Sequence, residues 1–134
     1  MIVEKEIKKM VMDLSKKNHA ELELSGFTIT VETYEQHSWV SVSTTVYFGG
    51  DYIPPSVRKS VSDHPAFTRG AIEAELRIYE ESFQIKLSYL GRLDGLDCPH
   101  FFQMIEDFRW LAEKWRDYLD ERDKNDLVYI HHKR

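Results

Sequence analysis

The chain has 134 residues, of which 42% are hydrophobic and 31% charged, and its formal net charge is −5. This composition is typical of one globular domain spanning residues 1–134, with a single core, and it excludes an intrinsically disordered chain. The acidic balance also argues against a nucleic-acid-binding protein, because such domains normally carry a basic face.

The sequence also bears on where the protein resides. No apolar run approaches the roughly 20 residues that a membrane span needs, so we expect no membrane partner. Acidic residues follow directly after the first three positions, at Glu4 and Glu6, and no long apolar stretch is present there, which predicts the absence of a secretory signal. Cys98 is the single cysteine. Since one cysteine cannot form an internal disulfide, a reducing, cytoplasmic setting is the simpler interpretation.

The first third of the chain combines a helical pattern with a strand pattern. Apolar residues at helical spacing predict an amphipathic helix over residues 3–18. Alternating apolar residues predict strand structure at residues 22–24 and, in the opposite phase, at residues 27–31. The phase changes at Ser25 and Gly26. We therefore expect a bulge or bend there, since a one-residue slip turns side chains to the other face.

Residues 38–48 give the clearest strand pattern, and Tyr34–His37 is the expected hairpin turn before it. Strict alternation places Phe48 on the apolar face of this strand. It places Trp39 and Tyr47 together on the opposite, solvent-facing side.

The middle of the chain is irregular and is followed by a second hairpin. Residues 49–70 contain most of the proline and several glycines, and they favour loops with one short helix at Pro55–Val61. Residues 72–79 and 83–89 then alternate between apolar and polar side chains, with Glu80–Ser82 as the turn. Such alternation is typical of an antiparallel sheet that is wetted on one face.

A long amphipathic helix is predicted from about Pro99 to Asp123, with Asp97 as its cap. Leu127–Ile130 is apolar and could add a short strand. The order of elements predicts an α+β fold, in which an antiparallel sheet of two hairpins carries the N-terminal and C-terminal helices on one face.

Motifs that carry chemistry are scarce, so we predict no catalytic, cofactor-binding or metal-binding residues. Cys98 lies at a helix start, where its thiol pKa can fall, but neither a base nor an orienting group can be placed beside it. The six histidines form no HExxH motif, and no CxxC pair is present. Phosphate-binding loops and a GxSxG elbow are absent from the sequence as well.

Aromatic residues away from the apolar stripes are better candidates for function. Trp39 and Tyr47 share the wet face of their strand, and Trp110 lies nearly opposite the apolar stripe of the last helix. Trp and Tyr are enriched in protein interfaces, so we predict these three as partner-binding residues. The alternative for Trp110 is a second packing layer beneath residues 49–70.

From Ile72 to Leu119 the chain runs as a strand IEAELRIY, a turn EES, a strand FQIKLSYL, a linker GRLDGLDCPH and a helix FFQMIEDFRWLAEKWRDYL. This succession resembles the C-terminal part of class I type III secretion chaperones and of the related YbjN-like domains. Ala112 and Trp115 stand where the family's last helix carries an alanine and a tryptophan. The family usually has three strands before a middle helix, whereas two clear strands are visible here.

The resemblance implies a cytoplasmic, non-enzymatic homodimer that keeps a segment of a secreted effector unfolded and competent for export. It implies no particular binding residue, because the family has no single binding motif. One alternative is a YbjN-like regulatory or immunity-type protein that binds one folded partner. Another is a small enzyme or ligand-binding domain with a cleft near residues 49–70, for which the polar candidates are Asp63, His64, Cys98 and His100.

Overall fold

The computed structural model describes residues 4–63, 69, 72–93 and 98–132, with side chains as far as residue 124 except those of residues 4, 63 and 98. The helices are α1 (Glu4–Lys17), α2 (Pro55–Asp63) and α3 (Cys98–His132). The strands are β1 (His19–Leu24), β2 (Phe27–Tyr34), β3 (Trp39–Phe48), β4 (Glu75–Tyr79) and β5 (Gln84–Arg92). The predicted α+β class, with a helix at each end of an antiparallel sheet, is confirmed.

The five strands form one sheet in the order β1-β2-β3-β5-β4, and every neighbouring pair is antiparallel. At Ser25 and Gly26, where we expect a bulge or bend, the structure has no bulge and the chain reverses completely. Leu24 faces Phe27 across a two-residue hairpin turn, and Ser25 and Gly26 have φ of 55° and 84°. Positive φ at both central positions is the geometry that matches the twist of a tight hairpin. The phase change therefore marks a reversal of the chain, and the first hairpin becomes a three-stranded meander.

A genuine bulge lies in β3 instead. The register between β3 and β5 shifts between Thr45 and Tyr47, so that Val46 is the extra residue. Both Val46 and Tyr47 are buried as a result, at 3% and 7% exposure, while Phe48 is 65% exposed. The predictions that Tyr47 lies on the wet face and Phe48 in the core are therefore wrong, because a bulge exchanges the two faces beyond it.

The core lies between the helices and one face of the sheet. Along β1, β2 and β3, alternate side chains from Ala20 to Val46 are buried, in phase with the pleat. Helix α1 contributes Ile7, Met10 and Leu14, as its spacing predicts. The buried stripe of α3 is Phe101, Ile105, Phe108, Leu111, Ala112, Trp115 and Leu119. Full burial of each large apolar side chain is worth about 1.5–3 kcal/mol, so this layer dominates the stability.

Helix α3 is longer than the body that it covers. Its 35 residues span roughly 52 Å at 1.5 Å per residue. The expected strand at Leu127–Ile130 is wrong, because the helix continues through these residues to His132. Ser56 Oγ donates to the Arg122 carbonyl at 3.2 Å, and Tyr47 Oη donates to Asp123 at 3.2 Å. In the described part of the chain, no helix is both long and apolar enough to cross a membrane.

Candidate protein-binding site

The face of the sheet that points away from the helices is largely polar and exposed. Serine and threonine side chains of β2, β3 and β5 form its centre. Large apolar side chains lie at its two ends. Phe48 and Tyr79, which are 65% and 41% exposed, occupy one end. Tyr34, Trp39 and Leu90 occupy the other end, where the sheet is also incomplete.

Strand β5 is longer than β4, and its last residues lack a neighbour on one side. The ladder between the two strands ends where Glu75 faces Ser88. On the other side, β3 continues to pair with β5 as far as Arg92. Residues 89–92 are thus flanked by β3 and, among the described residues, by no second strand. We call this corner of the sheet the edge cleft.

Backbone hydrogen-bonding groups point into the edge cleft. The Leu93 N–H donates to the Ser38 carbonyl at 2.9 Å, which directs Leu93 toward β3. In an antiparallel strand, residues two apart direct both backbone groups to the same neighbour, and the residues between them direct theirs to the other side. The backbone N–H and C=O groups of Leu90 and Arg92 therefore point away from β3. Neither makes a backbone hydrogen bond to a described residue on that side.

The edge cleft has a volume of about 930 Å³ and an apolar floor. Leu90 is 65% exposed and Tyr34 is 45% exposed, which is unusual for apolar residues of a paired strand. Trp39 is half-buried beside them, and the Arg92 guanidinium lies 4.9 Å from the centre of its ring. The other described clefts are much smaller, at about 200 and 250 Å³.

Gly91 makes room for the ring of Tyr89, a residue that lines this cleft. The Tyr89 ring lies so close to the Gly91 backbone that a side chain at position 91 would collide with it. Glycine therefore lets the ring fold back over its own strand, where Tyr89 is half-buried and lines the edge cleft. The conformation at position 91 is ordinary, so the requirement for glycine is one of space.

Acidic side chains line the rim of the edge cleft. Glu35, from the β2–β3 turn, and Glu73, which precedes β4, both line it, and neither pairs with a cation of the described residues. Glu75 lines it too and lies 3.7 Å from Arg77. The rim therefore carries carboxylates beside exposed apolar side chains.

The turn that carries Glu35 is strained. Glu35, Gln36 and His37 have φ of 48°, 57° and 66°, a left-handed run that costs roughly 1 kcal/mol or more per non-glycine residue. Two side-chain contacts help to hold it: Ser38 Oγ donates to the Glu35 carbonyl at 2.7 Å, and His37 Nε2 lies 3.2 Å from the Leu14 carbonyl. The Ser38 N–H also donates to the carbonyls of Tyr34 and Glu35. Such strain concentrates at functional sites, because selection for function can maintain it.

The structure separates the three residues predicted for partner binding. Trp39 lies in the edge cleft. Tyr47 is buried in the core and bonded to Asp123, so it offers no binding surface. Trp110 is on the opposite side of the molecule, on the outer side of α3. It is half-buried between Arg69, at 5.1 Å from its ring centre, and Lys114, at 5.3 Å.

Trp110 is covered by an anchored cation. Arg69 Nε donates to Asp107 at 3.3 Å, and Gln103 donates to the same oxygen at 2.9 Å. Asp107 is only 6% exposed. Trp110 therefore takes part in a packing layer that joins α3 to the segment before β4, which is the alternative interpretation made for it from the sequence.

Sequence reasoning missed Tyr34, Leu90, Glu35 and Glu73. Leu90 carried the detectable signal, because it is a large apolar residue on the polar phase of its strand. Glu35 and Glu73 carried no such signal, because their proximity to Leu90 depends on the strand order and on where β4 begins. Both facts belong to the tertiary structure.

The residues proposed for an enzyme do not converge in the described part of the chain. His64 and the side chains of Asp63 and Cys98 lie outside the described residues. His100 is exposed in the first turn of α3. Within the described residues, no three histidine, cysteine, aspartate or glutamate side chains come close enough to hold a metal ion.

Neither a protein-family model nor a curated protein matches the chain. Its function is therefore inferred from the chemistry of its own residues. The edge cleft combines backbone groups that have no partner among the described residues, exposed apolar side chains and an acidic rim. These are the features with which a sheet edge takes up an extended peptide.

Proposed function

We propose that this chain is a non-enzymatic protein-binding domain that holds an extended segment of a client polypeptide in the edge cleft. Its role would be that of a cytoplasmic secretion chaperone, which keeps an effector segment unfolded and competent for export. The observation that carries the proposal is the outer edge of β5, where the backbone groups of Leu90 and Arg92 face no strand among the described residues.

Energetics support an extended client rather than a folded one. Leu90 and Arg92 each offer one N–H and one C=O, and each hydrogen bond contributes about 0.5–1.5 kcal/mol net. Burial of the exposed parts of Leu90 and Tyr34 adds about 25 cal/mol per Å². Because ordering an unfolded segment costs several kcal/mol, the client must also contact surface beyond the cleft. The exposed polar face of the sheet is the adjacent surface.

The order of elements supports the assignment to this class. Three strands precede α2, which is the order that the resemblance to secretion chaperones implies and that the sequence alone did not reveal. The class is homodimeric, and we propose a homodimer here as well. The length of α3 supports a second copy as its neighbour, and size-exclusion chromatography with light scattering measures the molecular mass. A strict monomer would contradict this part of the proposal.

The binding experiment compares two exposed apolar residues. Leu90→Gln removes the apolar floor of the edge cleft, whereas Met12→Gln changes a 56% exposed residue of α1 far from it. Clients are captured from extracts of the native organism by the wild-type chain and by both variants. We expect Leu90→Gln to lose the client and Met12→Gln to retain it.

Hydrogen exchange locates the client on the captured complex. The amides of Leu90 and Arg92 should exchange rapidly in the free protein and slowly in the complex. Unchanged exchange at both amides would refute strand pairing at this edge. A folded partner that is retained by Leu90→Gln would favour the immunity-type alternative.

A further inference from the structure

We infer that the client segment is basic, and that a lysine or arginine side chain enters the edge cleft with its stem on Leu90 and its cation among the rim carboxylates. This inference rests on the proposed function and adds the chemistry of the client to it. Its basis is the combination of apolar floor and acidic rim within one cleft.

The charge of the rim is unbalanced. Among the described residues, Glu35, Glu73 and Glu75 line the cleft together with one lining cation, Arg77, so three negative charges face one positive charge. Arg77 lies 3.7 Å from Glu75 and leaves the other two carboxylates unpaired among the described residues. Arg92 is the second cation at this corner, and its guanidinium stacks on Trp39 rather than pairing with either of them.

The shape of the cleft suits a long cationic side chain. Lysine and arginine bury their aliphatic stems on apolar surface while the charged end stays near water or a carboxylate. Leu90 and Tyr34 provide the apolar surface, and Glu35 lies next to Tyr34 in sequence and lines the same cleft. An acidic client side chain would meet two unpaired carboxylates and would be repelled.

The complementary charge acts on the choice of client more than on the total affinity. Charges on the rim of an interface mainly set specificity and association rate, and salt screens them. We therefore expect the preference for a basic segment to be strong at low ionic strength and to weaken as salt is added.

Three synthetic peptides test the inference directly. Each peptide has ten residues, and valine and threonine alternate at all positions except the variable ones. The variable positions hold lysine in the first peptide, glutamine in the second and glutamate in the third. Binding to the full chain is measured by fluorescence anisotropy of the labelled peptides. We expect the lysine peptide to bind at least about 10-fold more tightly than the glutamine peptide, and the glutamate peptide to bind most weakly.

Matched carboxylate variants of the protein assign the preference to the edge cleft. Glu35→Gln and Glu73→Gln should each reduce binding of the lysine peptide about 3–10-fold and leave the glutamine peptide unaffected. Glu21→Gln is the control, because Glu21 is an exposed carboxylate on β1 at the other edge of the sheet. It should leave all three affinities unchanged.

Equal binding of the three peptides, with protection of the Leu90 amide, would overturn the basic client and leave the proposed function standing. A lysine preference that survives both cleft variants, or falls equally with Glu21→Gln, would overturn the inference by showing general attraction to an acidic protein. Failure of every peptide to bind, together with unprotected amides at Leu90 and Arg92, would overturn both the inference and the proposed function.

Discussion

The strand order gives the sheet two ends, called here the β1–β2 side and the β4–β5 side. Both are built from the same alternating pattern, but the helices cover their edge strands to different degrees. On the β1–β2 side, Leu22, Ile29 and Val31 are between 0% and 8% exposed beneath the helices. On the β4–β5 side, Ile85 and Leu87 of β5 are also fully buried. On the edge strand β4, however, the corresponding Leu76 and Ile78 are only half-buried. Alternation therefore identifies the apolar face of a strand, but the length and position of the helices decide how completely that face is covered.

Because of this difference in cover, the β1–β2 side contributes more to stability and the β4–β5 side is better suited to binding. Buried apolar surface stabilises the folded chain, and the β1–β2 side lies under α1 and next to the long α3. The β4–β5 side is reached by α2, which has nine residues. Regions with fewer buried contacts open more easily, which suits a surface that must accept another chain.

The largest expected effect comes from the same truncation on both sides. Ile29→Ala should lower the free energy of unfolding by about 2–5 kcal/mol, because Ile29 is fully buried and its loss leaves a cavity. Ile78→Ala should cost about 1 kcal/mol or less, since part of that side chain is already in water. Urea denaturation measures both values. Equal losses would show that the two sides contribute alike.

Gly91→Ala tests the packing of the Tyr89 ring at the open side. The added methyl group collides with the ring, so we expect a loss of about 1–3 kcal/mol in the free energy of unfolding. A double-mutant cycle with Tyr89→Ala supplies the control, because the collision disappears when the ring is removed. The cost of Gly91→Ala should then be much smaller. An undiminished cost in the Tyr89→Ala background would refute the steric explanation.

Arg69→Ala tests the link between α3 and the segment that leads to β4. It leaves the buried Asp107 with Gln103 as its remaining partner, and we expect a loss of about 1–2 kcal/mol, moderated because Arg69 is 44% exposed. Trp110 fluorescence should shift to longer wavelength as its cover is lost. Amide exchange should accelerate in β4 and stay unchanged in β1 and β2. Acceleration across the whole sheet would show that the two sides unfold together.

The smallest effect concerns the ion pair between α2 and the β4–β5 turn. Arg58 donates two hydrogen bonds to Glu80, at 2.7 and 2.8 Å, and these bonds lower the pKa of the Glu80 carboxyl. Because the folded-state pKa is the lower one, the stabilisation is present above the ordinary pKa and is lost as the pH falls through the folded-state pKa. Glu80→Gln should therefore destabilise the protein slightly at about pH 7 and by a smaller amount at about pH 3, below the ordinary pKa of the carboxyl. Urea midpoints of both proteins at the two pH values measure this. A difference that persists undiminished in acid would exclude the ion pair as its cause.

Periodicity predicted the helices and the core-facing residues well, because burial repeats with the geometry of each element. It failed at two places where a single local event changes the phase. A change of phase fits a bulge as well as a two-residue turn, so Ser25 and Gly26 were misinterpreted. In β3 the bulge lies within a run of apolar residues, so the sequence shows no change of phase there. Tyr47 was placed on the wrong face for that reason.

The candidate site was largely beyond prediction from sequence. Trp39 was identified from its exposure, whereas Glu35 and Glu73 become neighbours of Leu90 only through the strand order β3-β5-β4 and the late start of β4. Neither fact follows from local propensity. Trp110 was placed opposite the apolar stripe of α3, but its cover by Arg69 depends on a contact between distant segments.

The extra residue in β3 has a consequence for how this gene tolerates changes of length. Val46 is an extra residue of β3 that has no partner in β5. The ring of Tyr47 faces α3 and its hydroxyl reaches Asp123. A deletion of one codon at Val46 would restore regular pairing and leave Tyr47 opposite Ile85 on the buried face, so we expect the bond to Asp123 to survive. The bulge is thus a point at which β3 can lose one residue while the hydrogen bond that anchors α3 is kept.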